Sequence, residues 1–350
     1  MRIHRLTLAR FGTIAFRPVA IALCLLCVGC ATSSERGGAP EEAEAATYEP
    51  PTLNRLTIEL RDTTMGAVVR EVGNRTGGSL VLLNGLEDRP LKSVNYVNAE
   101  LPEVAADLAE QAECAIQVTD GYRFIFPPGY ETLTQISLSN QTNPRFRERI
   151  DKLAVGANIP LHAVLTWIGQ AYDTTVVADN AVAAARTGEV ALQTVYLDQA
   201  VEALLKSARV NAVAFDSTDE YLFLYTPENL NPRSAMLNDG ELPQALRQRL
   251  DRRVTVALPE PSSDPGRLVV GEARRLGDVL TSLSMQLGVR VVAEPELMDF
   301  PVNPAHLSNV RVQTALDLLV RQWLLPHYGY QVTHDRIVLR RRTASEQVAP

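Results

Sequence analysis

A chain of 350 residues with 46% hydrophobic residues and a formal net charge of -7 is long enough for two or three globular domains and is acidic overall. That charge argues against nucleic acid as a partner, because Lys and Arg must displace the counterions of a phosphate backbone. Three of the four cysteines (Cys24, Cys27, Cys30) lie near the N-terminus and only Cys114 lies beyond them, which excludes a disulfide framework in the body of the chain.

Residues 1–29 read as a lipoprotein signal peptide. Arg2, Arg5, Arg10 and Arg17 make a basic start without any acid, and the apolar run 19–28 follows. The run is shorter than the roughly 20 residues a membrane span needs. Gly29 and Cys30 come next, then small, polar and acidic residues. Val28-Gly29-Cys30 resembles the end of a lipobox, although Cys27 stands where such motifs usually carry Leu. The resemblance implies cleavage before Cys30 and a lipid on its sulfur. By the sorting rule known for lipoproteins, Ala31 then favours the periplasmic side of the outer membrane over the inner membrane. Cleavage would remove four Arg and no acid, taking the net charge from -7 to -11. Residues 30–53 have almost no large apolar residue and read as a flexible tether, since they bury too little surface to offset their chain entropy.

Beyond the tether one pattern occurs three times, over 54–128, 149–226 and 253–342, with linkers at 129–148 and 227–252 and a disordered tail at 343–350. Each stretch predicts a strand, then an amphipathic helix with apolar residues at i, i+3, i+4 and i+7. These are Met65, Val68, Val69 and Val72, then Leu161, Val164, Leu165 and Ile168, then Leu276, Val279, Leu280 and Leu283. A short β-branched run follows (SLVLLN, TTVVADN, VRVVAEP), then a third strand and a second helix (LPEVAADLAEQA, LDQAVEALLKSA, VQTALDLLVRQW). Each stretch closes on a hairpin: AIQVTDGYRFIF, AVAFDSTDEYLFLY and GYQVTHDRIVLR. The expected fold is α+β, three tandem small units of βαββαβ type with helices on one face of each sheet. A unit of this size is marginal alone and gains from packing on its neighbours.

These patterns resemble the short N-terminal domain shared by secretins and TonB-dependent transducers. The residues that carry the resemblance are LGDVLTSLSMQLGVRVV (276–292), LDQAVEALL (197–205), and Gly77-Gly78 ahead of Leu80-Val81-Leu82. It covers most of 54–342 and consists of hydrophobic patterns, so it speaks to fold more than to activity. Family members stack such domains or receive partner domains on them. This chain has neither the long pore domain of a secretin nor a plug and barrel, so it is not expected to form a pore by itself.

No catalytic constellation stands out, and the chain is expected to be no enzyme and to need no cofactor. His162, His306, His327 and His334 are scattered, where a metal site needs three or four convergent ligands. Cys114 sits in a helix-like stretch and reads as a small buried apolar residue. Two features invite a partner. Tyr122, Phe124 and Phe126, and likewise Tyr221, Phe223 and Tyr225, alternate along their strands, so each set shares one sheet face. If the helices cover the opposite face, these six aromatics are candidate partner-binding residues; the alternative is that a linker covers them, the apolar stretch within 128–148 being able to do so. The run Arg340-Arg341-Arg342 reads as a solvated strand end or as a contact for an acidic partner. The function expected from all this is a lipid-anchored periplasmic scaffold accessory to an envelope assembly of secretion or pilus type. The alternatives are a receptor module contacting an inner-membrane regulator and, more remotely, an enzyme acting on envelope polymer.

Overall fold

In the computed structural model, which describes residues 55–76, 78–238, 241–258, 273–343 and 346, the apolar spacing of the first helices becomes a buried stripe. Strand β1 (Leu56–Thr64) runs into helix α1 (Met65–Thr76), whose Met65, Val68, Val69 and Val72 are fully buried. Then come β2 (Leu80–Leu82), β3 (Pro90–Ala99), α2 (Leu101–Gln111) and the hairpin β4 (Ala115–Val118) and β5 (Arg123–Phe126). The second passage has β6 (Arg149–Val155), α3 (Leu161–Ala171), β7 (Val176–Ala178), a one-turn α4 (Asn180–Ala184), β8 (Val190–Tyr196), α5 (Leu197–Ser207), β9 (Ala214–Ser217) and β10 (Leu222–Tyr225). After α6 (Gln244–Asp251), the third has β11 (Arg253–Leu258), β12 (Arg274–Arg275), α7 (Leu276–Leu287), β13 (Arg290–Ala293), β14 (Pro301–Val302), β15 (Ala305–Arg311), α8 (Val312–Arg321), β16 (Tyr328–Val332) and β17 (Arg336–Arg341). The fold is α+β. Among the described residues no helix is long and apolar enough to cross a membrane.

The same strand pairing recurs in each passage. The strand before the first helix pairs antiparallel with the strand before the second: β1 with β3, β6 with β8, β11 with β15. β12 and β14 continue the last of these ladders. The strand after the first helix pairs parallel with the final strand, as β2 with β5, β7 with β10 and β13 with β17. The final strand closes an antiparallel hairpin. Even a backbone irregularity repeats: Asn98, Thr194 and Asn309, each three residues before a second helix, have positive φ.

Two expectations need correction. Each passage was expected to form one sheet and instead holds two separate ladders, because the first and third strands pair with each other and not with the hairpin. Moreover, one sheet crosses from the first passage to the second. β2 pairs antiparallel with β8, giving the five-stranded order β4-β5-β2-β8-β6. Close approach there depends on small residues: a Cβ on Gly188 would lie 2.1 Å from the Leu82 carbonyl oxygen, and one on Gly73 2.5 Å from Ala191 Cβ. The Ser79 hydroxyl extends the contact by accepting from Gln193 N–H (2.9 Å). At the next junction Thr175 does the same with Ser308 N–H (2.8 Å), and Gly169 packs on His306.

The segments read as linkers are packed. Leu133, Leu138 and Phe146 are buried in the first, and Ala235, Leu237, Leu246 and Leu250 in the second. Residues 235–237 also pair along the outer edge of β16, through Tyr330 N–H to Ala235 O (3.0 Å) and Leu237 N–H to Tyr330 O (2.8 Å). The described residues accordingly form one compact unit without a break at either linker. The signal peptide, Cys30 and the tether lie outside the described residues.

Candidate functional site

Of the two readings of the six aromatics, an open sheet face or a covered one, the structure shows the covered one. Tyr122, Phe124, Phe126, Tyr221 and Phe223 are buried, and Tyr225 is half-buried. What covers them is the linker together with the second helix of the following repeat. In the first case α5 lies over β4–β5. Tyr122 donates its phenolic hydrogen to Glu202 Oε1 (2.6 Å), and Lys206 Nζ reaches Glu202 (2.8 Å) and Gln117 Oε1 (3.0 Å) while standing 5.4 Å above the Tyr122 ring. The preceding linker closes the cluster, with Leu138 N–H donating to the other Glu202 oxygen (3.2 Å). Burial, with Glu202 beside it, pushes the Tyr122 phenol well above its ordinary pKa.

The second junction repeats this with other residues. Arg321, on α8 where α5 has Lys206, places its guanidinium 4.1 Å from the Phe223 ring and bonds Asp216 of β9 (2.9 Å), which occupies the place of Gln117. Asp216 also accepts from Tyr221 (2.7 Å) and from the exposed Arg233. Burial alone would raise the Asp216 carboxyl, but the Tyr221, Arg321 and Arg233 donors outweigh it and hold it below its usual range. Burial, and then the same bond to Asp216, raise Tyr221 to about 12.

One turn earlier on α8, Asp317 accepts from Ala235 N–H (2.7 Å) and from Tyr330 (3.0 Å), and burial pushes its carboxyl up to about 6. The site is thus a pair of internal seams, each a buried charge cluster laid on an aromatic strand face. A cavity of about 330 Å³ opens beside the second seam, walled by Asp216, Tyr225, Asn231, Arg233 and Arg321. A smaller one of about 220 Å³ lies beside the first, walled by Tyr122, Tyr196, Asp198 and Glu202.

Other candidates fall elsewhere. Cys114 is half-buried beside Arg89, and burial raises its thiol pKa, which opposes the thiolate form that reacts. His162 Nδ1 lies 3.1 Å from the Ala183 carbonyl, and burial at the second junction lowers the His306 pKa. Among the described residues no group of three or more His, Cys, Asp or Glu could hold a metal ion. In the basic run, Arg340 pairs with Glu346 (2.7 Å) and Arg342 donates to the Tyr328 carbonyl (3.3 Å), so the run is partly tied into the fold. Trp323 is buried against Phe300, and its indole N–H donates to Pro301 O (2.9 Å).

The seam residues Glu202, Lys206, Asp317 and Arg321 escaped the sequence reading. A signal existed: an acid and a base four apart fall at the same two places of the second and third second-helices, where the first has Ala106 and Glu110. Comparison with family models, with curated proteins and with solved structures found no match for this chain.

Proposed function

We propose that this chain is a non-enzymatic scaffold of the bacterial envelope, lipid-anchored through Cys30 on the periplasmic side of the outer membrane and accessory to an assembly of secretion or pilus type. The supporting observation is where its polar chemistry goes. Glu202, Lys206, Asp216 and Arg321 hold one repeat on the next, while among the described residues the outer edges of β3 and β13, at the two ends of the stack, have no strand partner. Buried ion pairs of this kind set geometry more than they add stability, which suits a spacer that must present its ends at fixed positions. Strand edges and helix faces are also the surfaces through which such folds recruit partners.

The test places photo-crosslinking side chains at Val97 and Met285, near the two ends, in intact cells. Recovery of a reproducible envelope-protein adduct is expected. A chain that fractionates with membranes yet crosslinks to no protein from either position would sink the scaffold reading. The anchor is tested separately: mass spectrometry of the mature N-terminus should find acylated Cys30, and Cys30→Ser should leave an unacylated precursor.

A further inference from the structure

Each internal seam joins the same two surfaces. The donor surface is the final hairpin of one repeat together with the outer edge of the strand after its first helix. The receiving surface is the second helix of the next repeat together with the outer edge of the strand before it. Among the described residues one copy of each is left uncovered: no repeat stands against α2 and the outer edge of β3, and none against β17 and the outer edge of β13.

These ends differ from the seams in a correlated way. Inside the chain the receiving helix brings a cation, Lys206 or Arg321, onto aromatic rings. On α2 the matching residue is Glu110, which is exposed, as is Glu103 on the same helix. On the final hairpin the places of Tyr122 and Tyr221 are taken by Arg336, also exposed, and the places of Ser79 and Thr175 by Arg290. The helix changes from base to acid where the hairpin changes from aromatic to base. Glu346 already neutralises Arg340, so the outward charge rests on Arg336 and Arg290, two cations against the single carboxylate of Asp335 near them. Each end also carries an exposed apolar side chain at the seam position: Val97 on β3 is 73% exposed and corresponds to Gln193 and Ser308, and Met285 on α7 is 68% exposed and corresponds to Asn74, which meets Lys152 across the first seam.

We propose that a second copy of this chain docks end to end on the first, the acidic α2 and β3 edge of one against the basic β17 and β13 edge of the other, continuing the internal stack between molecules. The two surfaces differ, so the contact is heterologous and can extend beyond a dimer. Complementary charge sets its register and hastens encounter. This deepens the scaffold reading by naming the partner; that reading survives a monomeric result, with both ends free for another protein.

The experiment is sedimentation of the full lipidated chain in density-matched detergent, over protein concentration and at about 0.05 and about 0.5 M salt. Concentration-dependent association that weakens at the higher salt is expected. Glu110→Arg and Arg336→Glu are both at exposed positions. Each alone should weaken association about tenfold or more, because like charges then face each other. An equal mixture of the two, or both in one chain, should restore it. A second measurement is independent of these charges. In a Cys114→Ala background, Val97→Cys and Met285→Cys chains should form a disulfide-linked dimer only when mixed. A wild-type chain that stays monomeric up to about 100 µM, an affinity weaker than roughly -5.5 kcal/mol, would overturn the proposal. So would association indifferent to either swap, swaps that a mixture does not rescue, or cysteine dimers that form as readily without mixing.

Discussion

Replacing Asp317 by Asn should stabilise the protein at neutral pH, although it removes a buried charge next to a buried arginine. The carboxyl is buried, and all three of its hydrogen bonds, from Ala235 N–H, Tyr330 and Ser234, arrive at one oxygen, Oδ1. An asparagine carbonyl, with two lone pairs, can keep the two shorter ones, from Ala235 N–H and Tyr330, and gives up only the long Ser234 contact (3.4 Å). Burial raises the folded pKa from 3.8 to about 6 against the pull of these donors and of Arg321. The stability this group contributes is full below its unfolded pKa and is lost as pH rises through about 6, because over that window the unfolded chain releases a proton that the folded chain still holds. Two pH units correspond to about 3 kcal/mol, an upper figure for a buried group. Asp317→Asn should therefore gain about 1–3 kcal/mol at pH 7.5, and little near pH 4. Urea melts of both proteins between pH 4 and 8 measure this. If the variant is less stable than wild type at pH 7.5, ion pairing with Arg321 outweighs desolvation and the reasoning fails.

Other outcomes follow from the seams and the backbone. Phe223→Ala should cost about 3–5 kcal/mol as a core truncation and Tyr122→Phe about 1–2 kcal/mol through the lost Glu202 bond, both read from denaturant melts; near-zero values for both would return the aromatics to the surface. Gly188→Ala puts a methyl group on the Leu82 carbonyl and should lower stability by about 2 kcal/mol or more, seen as a falling thermal midpoint. Thr194 is a β-branched residue at φ 53°, and its two counterparts are asparagine. Thr194→Asn should therefore raise stability by about 0.5–1 kcal/mol, a shift of roughly 1–4 °C on calorimetry.

The local order of this protein is written in its sequence. Four apolar residues at helical spacing appear in three places, and each set becomes the buried stripe of a helix, because 3.6-residue periodicity leaves few other ways to remove them from water. The hairpins were legible for a similar reason: a short polar turn between two alternating runs brings those runs together as an antiparallel pair. The α+β class follows from these elements.

Tertiary structure decided which strands share a ladder and what lies on each face. Period-two alternation tells that Tyr122, Phe124 and Phe126 share a face, but not whether solvent, a linker or the next helix covers it. Here both linker and helix do, so residues that looked like a binding surface became the seam. Pairing of β2 with β8 was equally illegible, since it joins strands about a hundred residues apart and rests on the small size of Gly73 and Gly188, which no periodicity records. The charges of the seams show the same limit from the other side. Lys206 and Arg321 look like solvated helix residues in sequence, and the arrival of Gln117 and Asp216 from a different repeat gives each a partner that its own helix does not supply. Local sequence sets the direction in which each side chain points, and long-range packing sets what it meets.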